Sequence, residues 1–320
     1  MRQYITRRLL QMIPVLIGVS FLIFMIFAIS PGDFVSGMIS PHMTAAKQEQ
    51  IRHLYGLDKP KVVQYLIWLR NAVTGNLGNS YKFTQPVTTV INTYLWNSFY
   101  LQLVSFILSI VLAIPIGVLS ATKQYSFFDS FFTLFALVGI SIPTFFFGLL
   151  LINYFAAGLQ WFPVSGMVNT GSTATGIAKF IDVLHHMFLP CLVLTFASIA
   201  GFVRYVRTSM LEVIRQDYVR TARSKGLNEK VVIYRHALRN GMIPIVTLIG
   251  MSIAGLFGGA IITEQIFGWP GIGKITMDAI YARDYPLLMG INMLLAVLTL
   301  LGNLLADVCY ALVDPRVRLK

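Results

Sequence analysis

Charged residues are scarce in this chain: Asp, Glu, Lys and Arg together make up only 12% of its 320 residues, about half of their share in an ordinary soluble domain. Hydrophobic residues make up 56% of the sequence, and the mean hydropathy is +0.70. A soluble domain needs polar and charged side chains at its surface, so this composition excludes an ordinary soluble protein. It predicts a chain that folds in a lipid bilayer.

Charge is absent altogether from six long stretches of the sequence. Each stretch can contain a helix of the roughly 20 residues that cross a bilayer, and the first is too long for the apolar region of a signal peptide. We therefore predict an all-α polytopic integral membrane protein with six transmembrane helices. Proline and glycine positions narrow the predicted spans to residues 9–29, 98–122, 131–155, 187–203, 243–263 and 286–309.

Cysteine and acidic residues are also few. The two cysteines, Cys191 and Cys309, fall in predicted spans, which argues against a disulfide framework. A transporter driven by protons or ions needs ionisable groups at membrane depth. Glu264 and Asp307 stand at the ends of spans, where anchoring at an interface or pairing between helices is the favoured role. The sequence therefore gives little support to a proton relay.

Two motifs resemble ligand-binding sites, but neither has the residue arrangement that such a site requires. The stretch GWPGIGK (Gly268 to Lys274) has the spacing of a nucleotide-binding loop, but Ile275 stands where Ser or Thr should contact magnesium, so a tight turn after span five is favoured. His185 and His186 are adjacent, and on a helix their rings point about 100° apart. We expect no catalytic residue and no metal site in this chain.

The distribution of the basic residues predicts the topology. Loops on the cytoplasmic side retain Lys and Arg, and Arg2, Arg7 and Arg8 precede span one. The segment between spans four and five is also strongly basic, and both termini are then cytoplasmic, as six crossings require. Its cations are Arg204, Arg207, Arg215, Arg220, Arg223, Lys225, Lys230, Arg235 and Arg239.

These spans divide the chain into four regions. Residues 1–30 form the N-terminal transmembrane helix, 31–97 an extracytoplasmic loop or subdomain, 98–310 the transmembrane core with the cytoplasmic loop 204–242, and 311–320 a cytoplasmic tail. Apolar residues in the extracytoplasmic loop recur near helical spacing, which predicts an amphipathic helix. We expect it to pack as a cap on the bundle through Val62, Val63, Leu66, Leu69 and Val73.

The cytoplasmic loop contains the stretch RTARSKGLNEK, in which a helical corner is predicted. Residues 215–225 can form a short helix with Tyr218, Val219 and Ala222 on one face. Gly226 suits the left-handed position that ends a helix, and Asn228 is a suitable cap for a second helix. Such a corner fits docking onto a soluble partner that would accept Ala222 and Leu227. The alternative is a solvated basic loop attracted to anionic lipid headgroups.

The longer stretch DYVRTARSKGLNEKVVIYRHALRNGMIPI resembles the cytoplasmic coupling loop, or EAA loop, of permease subunits of binding-protein-dependent ABC importers. It is most similar to the dipeptide/oligopeptide/nickel branch. Aligned on Gly226, the general Glu-Ala-Ala pattern falls on Arg220, Thr221 and Ala222, and the later Ile-x-Leu-Pro pattern begins at His236 and places its Leu on Leu238. Five further motifs look like the B-type peptide permease: LYGLDKP, GNLGNSY, EQIFGWPGIG, ARDYP and ALVDPRVR.

The resemblance implies a type I ABC importer permease fold in a prokaryotic cell membrane. It implies a transport subunit without enzymatic activity or cofactor of its own, which forms half of a translocation path by alternating access. The implied partners are a second permease, two cytoplasmic ATPases that bind ATP and magnesium, and an extracytoplasmic solute-binding protein. The implied ATPase-coupling residues are Arg220, Thr221, Ala222, Gly226, Leu227, His236 and Leu238.

Several interpretations stay open from the sequence. The substrate implied by the resemblance is a di- or oligopeptide, with a peptide-like solute or nickel as alternatives. A self-sufficient secondary transporter, a channel or a membrane scaffold would account for six crossings equally well, but none of these needs a coupling loop.

Proline and glycine suggest where the translocation path lies. Pro115, Pro143 and Pro190 interrupt spans two, three and four, and the loosened backbone groups must face protein or water. Gly255 and Gly259 form a G-x-x-x-G motif in span five, offset from the small pair Gly250 and Ala254, which predicts close helix packing. We hypothesise that these spans line the path at the interface between two permeases.

Overall fold

The computed structural model describes residues 2–29, 44–54, 56 and 58–313. Residues 30–43 of the predicted extracytoplasmic loop and residues 314–320 of the predicted tail lie outside the described residues, and so does part of the LYGLDKP motif.

The described residues are almost entirely helical. The α-helices, in chain order, are α1 (Arg2–Ile29), α2 (Ala45–Leu54), α3 (Lys61–Val73), α4 (Val87–Thr122), α5 (Phe127–Ser141), α6 (Thr144–Leu151), α7 (Gly176–Ile214), α8 (Asp217–Ser224), α9 (Glu229–Val231), α10 (Leu238–Ser252), α11 (Ile261–Ile266), α12 (Ile272–Ala282) and α13 (Tyr285–Val313). Helix α6 continues as a π-helix (Ile152–Gly158), a second π-helix (Val232–Ala237) joins α9 to α10, and a 3-10 turn (Ala254–Phe257) follows α10.

Five helical runs in the described part of the chain are long and apolar enough to cross a membrane, and a bent pair makes a sixth crossing if counted as one. This confirms the predicted all-α membrane fold. The five runs are Tyr4–Ile29, Val87–Thr122, Gly176–Ile214, Glu229–Phe257 and Tyr285–Val308.

The predicted third span is the bent pair, so a continuous helix over 131–155 is wrong. Helix α5 ends at Ser141, and the chain turns by 100° before it continues from Thr144 to Gly158. Pro143 causes the break because the residue before a proline is driven out of the helical region. Ile142 accordingly has the extended angles φ −80 and ψ 122.

The predicted fifth span also ends earlier than residue 263. The helical run stops at Phe257, and Gly259 has a φ of +69, so Gly255 and Gly259 do not share a helix face. The predicted G-x-x-x-G packing is therefore wrong. Gly250, from the second predicted small-residue pair, does pack against a neighbouring helix: an added Cβ would lie 3.5 Å from the Cα of Ala306 in α13.

Helices α4 and α7 form the centre of the bundle and share its most extensive contact. At Gly117 the two helices approach so closely that an added Cβ would lie 2.6 Å from the Cβ of Val206. Helices α1 and α13 pair on the outside, where the hydroxyl of Tyr4 donates to Asp307 at 2.8 Å. The sequence expectation that Asp307 pairs helices is confirmed.

Helix α3 confirms the amphipathic helix predicted between spans one and two, but not the cap. Val62, Val63, Leu66 and Val73 are exposed, and the one buried residue of the helix is Tyr65. The expectation that the apolar face packs on the bundle is wrong, because α3 contacts α1 mainly through the tyrosine.

The close approach at Gly117 generates a stability prediction. Gly117→Ala should lower the stability of the bundle by about 1–3 kcal/mol, the usual cost of overpacking, since the new methyl group would meet Val206 and the carbonyl oxygen of Val203. The matched control is Gly201→Ala in α7, where an added Cβ has no neighbour within 4 Å. Thermal unfolding in detergent should show a lower Tm for the first variant only. Equal Tm values for both variants would contradict the close approach.

Candidate functional site

The predicted helical corner is present between α7 and α9. Helix α8 runs from Asp217 to Ser224, and the chain reverses at Gly226, whose φ of +73 lies in the left-handed region that favours glycine. The Gly226 amide donates to the carbonyl oxygen of Arg223 at 2.9 Å, which closes the last turn. The corner is thus a defined turn at the position where the sequence predicts it.

The second half of the corner begins at the cap that the sequence predicts. The side chain of Asn228 accepts a hydrogen bond from the amide of Lys230 at 2.9 Å. The helical run that starts at Glu229 then continues into the fifth membrane-spanning helix. The non-helical part of the predicted loop 204–242 is therefore limited to the short links on either side of α8, because α7 extends to Ile214.

An ion pair ties the two halves of the corner together. The guanidinium of Arg223 donates to Glu229 from Nη2 at 2.7 Å and from Nε at 3.1 Å. These hydrogen bonds raise the pKa of Arg223 above its ordinary value, so the group stays charged. Both side chains are exposed, so the pair adds more to the geometry of the turn than to global stability.

The inner face of α8 is packed into the bundle. Val219 is fully buried and Ala222 is 5% exposed, so Ala222 is not available to a soluble partner as the sequence suggested. Tyr218, predicted on the same face, points outward and is exposed. The buried residues of this cluster, which we call the corner base, are Val118, Ala121, Val206, Met210, Val219, Ala222, Val232, Ile233, Ala237 and Ile245.

The remaining predicted coupling residues divide between the surface and the corner base. Arg220, Thr221 and Gly226 are exposed, and Leu227 is 41% exposed at the tip of the turn. His236 on the π-helix and Leu238 at the start of α10 are half-buried, and Leu238 packs against the corner base. The structure thus places all seven predicted residues in one region, although only Arg220, Thr221, Gly226 and Leu227 face outward.

The outer surface of the corner is basic. It exposes the acidic residues Asp217 and Glu229 among a larger number of cations, and this excess of positive charge fits an acidic protein surface or anionic headgroups. The exposed cations are Arg215, Arg220, Arg223, Lys225, Lys230, Arg235 and Arg239.

Helices α7 and α10, which lead to and from the corner, are locked to each other. The hydroxyl of Ser209 donates to the carbonyl oxygen of Gly241 at 2.7 Å. A Cβ added at Gly241 would lie 2.9 Å from the sulfur of Met210. Helix α8 is therefore in contact with both helices through the corner base.

An ion pair between a half-buried guanidinium on α7 and a buried carboxylate on α5 was not predicted. Arg207 of α7 donates to Asp129 of α5 from Nε at 2.7 Å and from Nη2 at 2.8 Å. Asp129 is 3% exposed and also accepts from the amide of Tyr125 at 3.0 Å. The pair joins the third span to the helix that enters the corner. The pattern Ser126-x-x-Asp129 could have located the helix start, since Ser126 caps α5, but not the partner on α7.

The residues predicted to line the path are not brought together. Pro190 is buried inside α7, whereas Pro115 and Pro143 are exposed, and α4 and α7 continue through their prolines. An apolar cavity of about 520 Å³ lies between α4, α5 and α7, with none of the predicted path residues in its lining. Their role in translocation stays a prediction.

The turn predicted at GWPGIGK is built around a buried carboxylate. Glu264 is fully buried and accepts from the Ser98 hydroxyl at 2.6 Å, the Ala260 amide at 3.0 Å and the Lys274 amide at 3.1 Å. Gly271 is required here because an added Cβ would collide with the Glu264 side chain. The carboxylate fixes the turn and occupies the Lys274 amide, which in a nucleotide-binding loop would be free to bind phosphate. The described residues contain no group of three potential metal-ligating side chains.

Comparisons with known proteins agree with this architecture. Residues 113–319 match the family described as binding-protein-dependent transport system inner membrane component, and residues 1–99 match the N-terminal domain of such membrane components. The chain is similar over its whole length to the oligopeptide transport system permease protein AppB of Bacillus subtilis (strain 168), with 45% identity over 99% of each chain. It is 39% identical to the dipeptide transport system permease protein DppB of Escherichia coli (strain K12), over 100% of each chain.

Among solved structures, the fold is similar to a chain of the MetNI methionine ABC transporter in an inward-facing conformation. The TM-score is 0.54 with 17% sequence identity, and the match covers 71% of this chain and 97% of the other. At this identity the likeness shows the fold, which is that of a type I ABC importer permease.

The ion pair between Arg207 and Asp129 generates a second prediction. Asp129→Asn should destabilise the protein by about 1–3 kcal/mol, because it leaves a half-buried guanidinium without its counter-charge. The double variant Asp129→Asn with Arg207→Gln should recover part of this loss, since neither charge then stays unpaired. Tm values of the two single variants and the double variant in detergent measure the coupling. Strictly additive losses would mean that the two side chains do not act as a pair.

Proposed function

Because this chain belongs to the family of binding-protein-dependent transport system inner membrane components, we propose that it works as the permease half of an ATP-driven importer in which the corner around α8 receives force from an ATPase. The protein itself is a multi-pass transport subunit of the plasma membrane. The corner around α8 is the observation that supports the proposal most directly, since a channel or a secondary transporter needs no such element.

The geometry of the corner suits the transmission of force. Its outer surface presents Leu227 among exposed cations, which fits a partner surface that offers a small apolar pocket rimmed with acidic groups. Its inner surface, at Val219 and Ala222, is inserted into the corner base. A push on α8 is therefore passed to α4, α7 and α10 as displacement of packed helices, because close-packed side chains compress little.

The proposed assembly contains this chain, a second related permease, two cytoplasmic ATPases and an extracytoplasmic binding protein. ATP and magnesium bind in the ATPases, and this chain needs no cofactor of its own. The basic corner and both termini face the cytoplasm in this arrangement, in agreement with the positive-inside rule. Closure of the ATPases moves the two corners, the permease pair opens outward to receive solute, and hydrolysis resets it.

We propose that the solute is a short peptide. The full-length relatives named above are described as oligopeptide and dipeptide permeases, and a Pseudomonas aeruginosa relative with 38% identity is described as a di/tripeptide permease. Uptake of a labelled dipeptide or oligopeptide in cells that carry the complete system should be reduced by unlabelled peptides and not by nickel. Competition by nickel alone would assign the chain to a different solute.

The proposed coupling role is tested at Gly226. Proline cannot adopt the positive φ of this residue and lacks the amide that donates to Arg223. Gly226→Pro should therefore reduce uptake per ATP hydrolysed by about tenfold or more, because ~1.4 kcal/mol of lost coupling is a factor of ten. The measurement is solute uptake and ATPase activity of the same purified complex in proteoliposomes.

The matched control is Gly226→Asn, because asparagine tolerates left-handed angles and the structure offers space for a side chain there. It should keep most of the coupled uptake. The amount of each variant in the membrane separates loss of coupling from loss of insertion. Normal uptake by a fully inserted Gly226→Pro protein would refute the coupling role of this corner.

A further inference from the structure

Helices α1 and α13 provide a measure of depth in the membrane. At one end Arg8 and Tyr4 both contact Asp307, and at the other end the rings of Phe27 and Tyr285 stack at 5.7 Å. Between Tyr4 and Phe27 the helix rises about 34 Å, which is close to the ~30 Å of a hydrocarbon core. The charged end and the aromatic end therefore mark the two boundaries of the bilayer.

Helix α3 is attached to α1 below the aromatic boundary. The hydroxyl of Tyr65 lies 2.9 Å from that of Ser20 and donates to the carbonyl oxygen of Ile17 at 3.3 Å. Its ring makes edge contacts with Phe21 and Phe24 at centroid distances of 5.2 and 5.5 Å. Ser20 lies two helical turns from Phe27, so this attachment is about 10 Å inside the boundary.

The surface of α1 beside the attachment is apolar and exposed. Between the attachment and the aromatic boundary α1 exposes Leu22 and Ile26, each more than 60% accessible. A helix surface of this kind is stable only against lipid or another apolar protein. The contact that attaches α3 to α1 therefore lies within the leaflet.

Helix α3 has a continuous apolar stripe on one side, and its opposite side is mixed in polarity because it holds Ile67, which is 42% exposed, beside polar residues. Val62, Leu66 and Val73, which we call the apolar stripe, lie within about 40° of one another on the helix and are 57%, 55% and 81% exposed. Gln64 and Asn71 lie on the opposite side. Tyr65 lies next to the stripe on the surface of the helix. An orientation of α3 that directs Tyr65 toward the membrane interior therefore directs the stripe there as well.

We infer that α3 is an interfacial helix that lies in the leaflet nearer residue 29 and whose apolar stripe is covered by phospholipid acyl chains. The apolar side of such a helix sinks about 5–10 Å into the boundary between headgroups and acyl chains, which matches the depth of the Tyr65 attachment. Lys61 and Arg70 are exposed on the helix, and their long side chains can reach the phosphates above the stripe. The segment between the first two spans is thereby anchored to lipid and not only to protein.

This inference is tested by the depth of nitroxide labels on the complete, reconstituted complex in phosphatidylcholine vesicles. Cys191 and Cys309 are first replaced by alanine, and single cysteines are then introduced as Leu66→Cys in the stripe and Asn71→Cys on the opposite side. Molecular oxygen concentrates in hydrocarbon, whereas a nickel chelate stays in water. The label at residue 66 should collide several-fold more often with oxygen than with the chelate, and the label at residue 71 should show the reverse.

Two outcomes would overturn the inference. Equal access of the chelate to both labels would place the stripe in water. A label at residue 66 that neither oxygen nor the chelate reaches would mean that protein covers the stripe, either a second permease or a binding protein. Val73→Cys repeats the measurement at the other end of the stripe. A local change of structure caused by the label at residue 66 would not affect the label at residue 73. The measurement does not depend on transport activity.

Discussion

The packing of α8 against the bundle is the interaction on which the proposed action of this protein depends. Val219 and Ala222 are the buried residues of α8, and they meet side chains from the second, fourth and fifth spans at once. Those spans are themselves in close contact, at Gly117 with Val206 and at Gly241 with Met210. Because each contact lacks space for compression, a soluble partner that displaces α8 by a small distance must move the ends of three membrane helices together.

The few acidic residues of the chain hold its other elements in place. Asp129 binds Arg207 across two spans, Asp307 joins the first and last spans, and Glu264 fixes the turn after the fifth. Asp284 is also fully buried, and it accepts from Ser80 and from the amides of Lys82 and Leu287. In a chain with so little charge, each buried carboxylate is satisfied by several donors and connects segments that are distant in sequence. The acidic residues named here thus have structural roles.

The sequence predicted the parts of the structure that depend on the residue types at a few neighbouring positions. Charge-free stretches located the membrane helices, and the corner was predicted at Gly226 and Asn228 because left-handed angles and helix caps each need a particular residue type. The errors concern tertiary arrangement. Ala222 was expected at a partner surface but lies in the corner base, since periodicity shows which residues share a face and not what that face meets. Pro143 predicted an interruption of the third span, although not the 100° turn that the chain makes there. The early end of the fifth span before Gly259 and the exposure of the α3 stripe likewise depend on neighbours that no local pattern identifies.

The central claim is that this chain works only as part of an ATP-driven assembly that grips the corner around α8. The most direct test is to purify the tagged chain from its native membrane in a mild detergent and to identify by mass spectrometry the proteins that accompany it. The account predicts a second related permease and one or two ATPases, and it predicts that solute movement in liposomes requires ATP. A chain that purifies alone and still moves solute in liposomes without ATP would contradict the account and would identify a self-sufficient transporter.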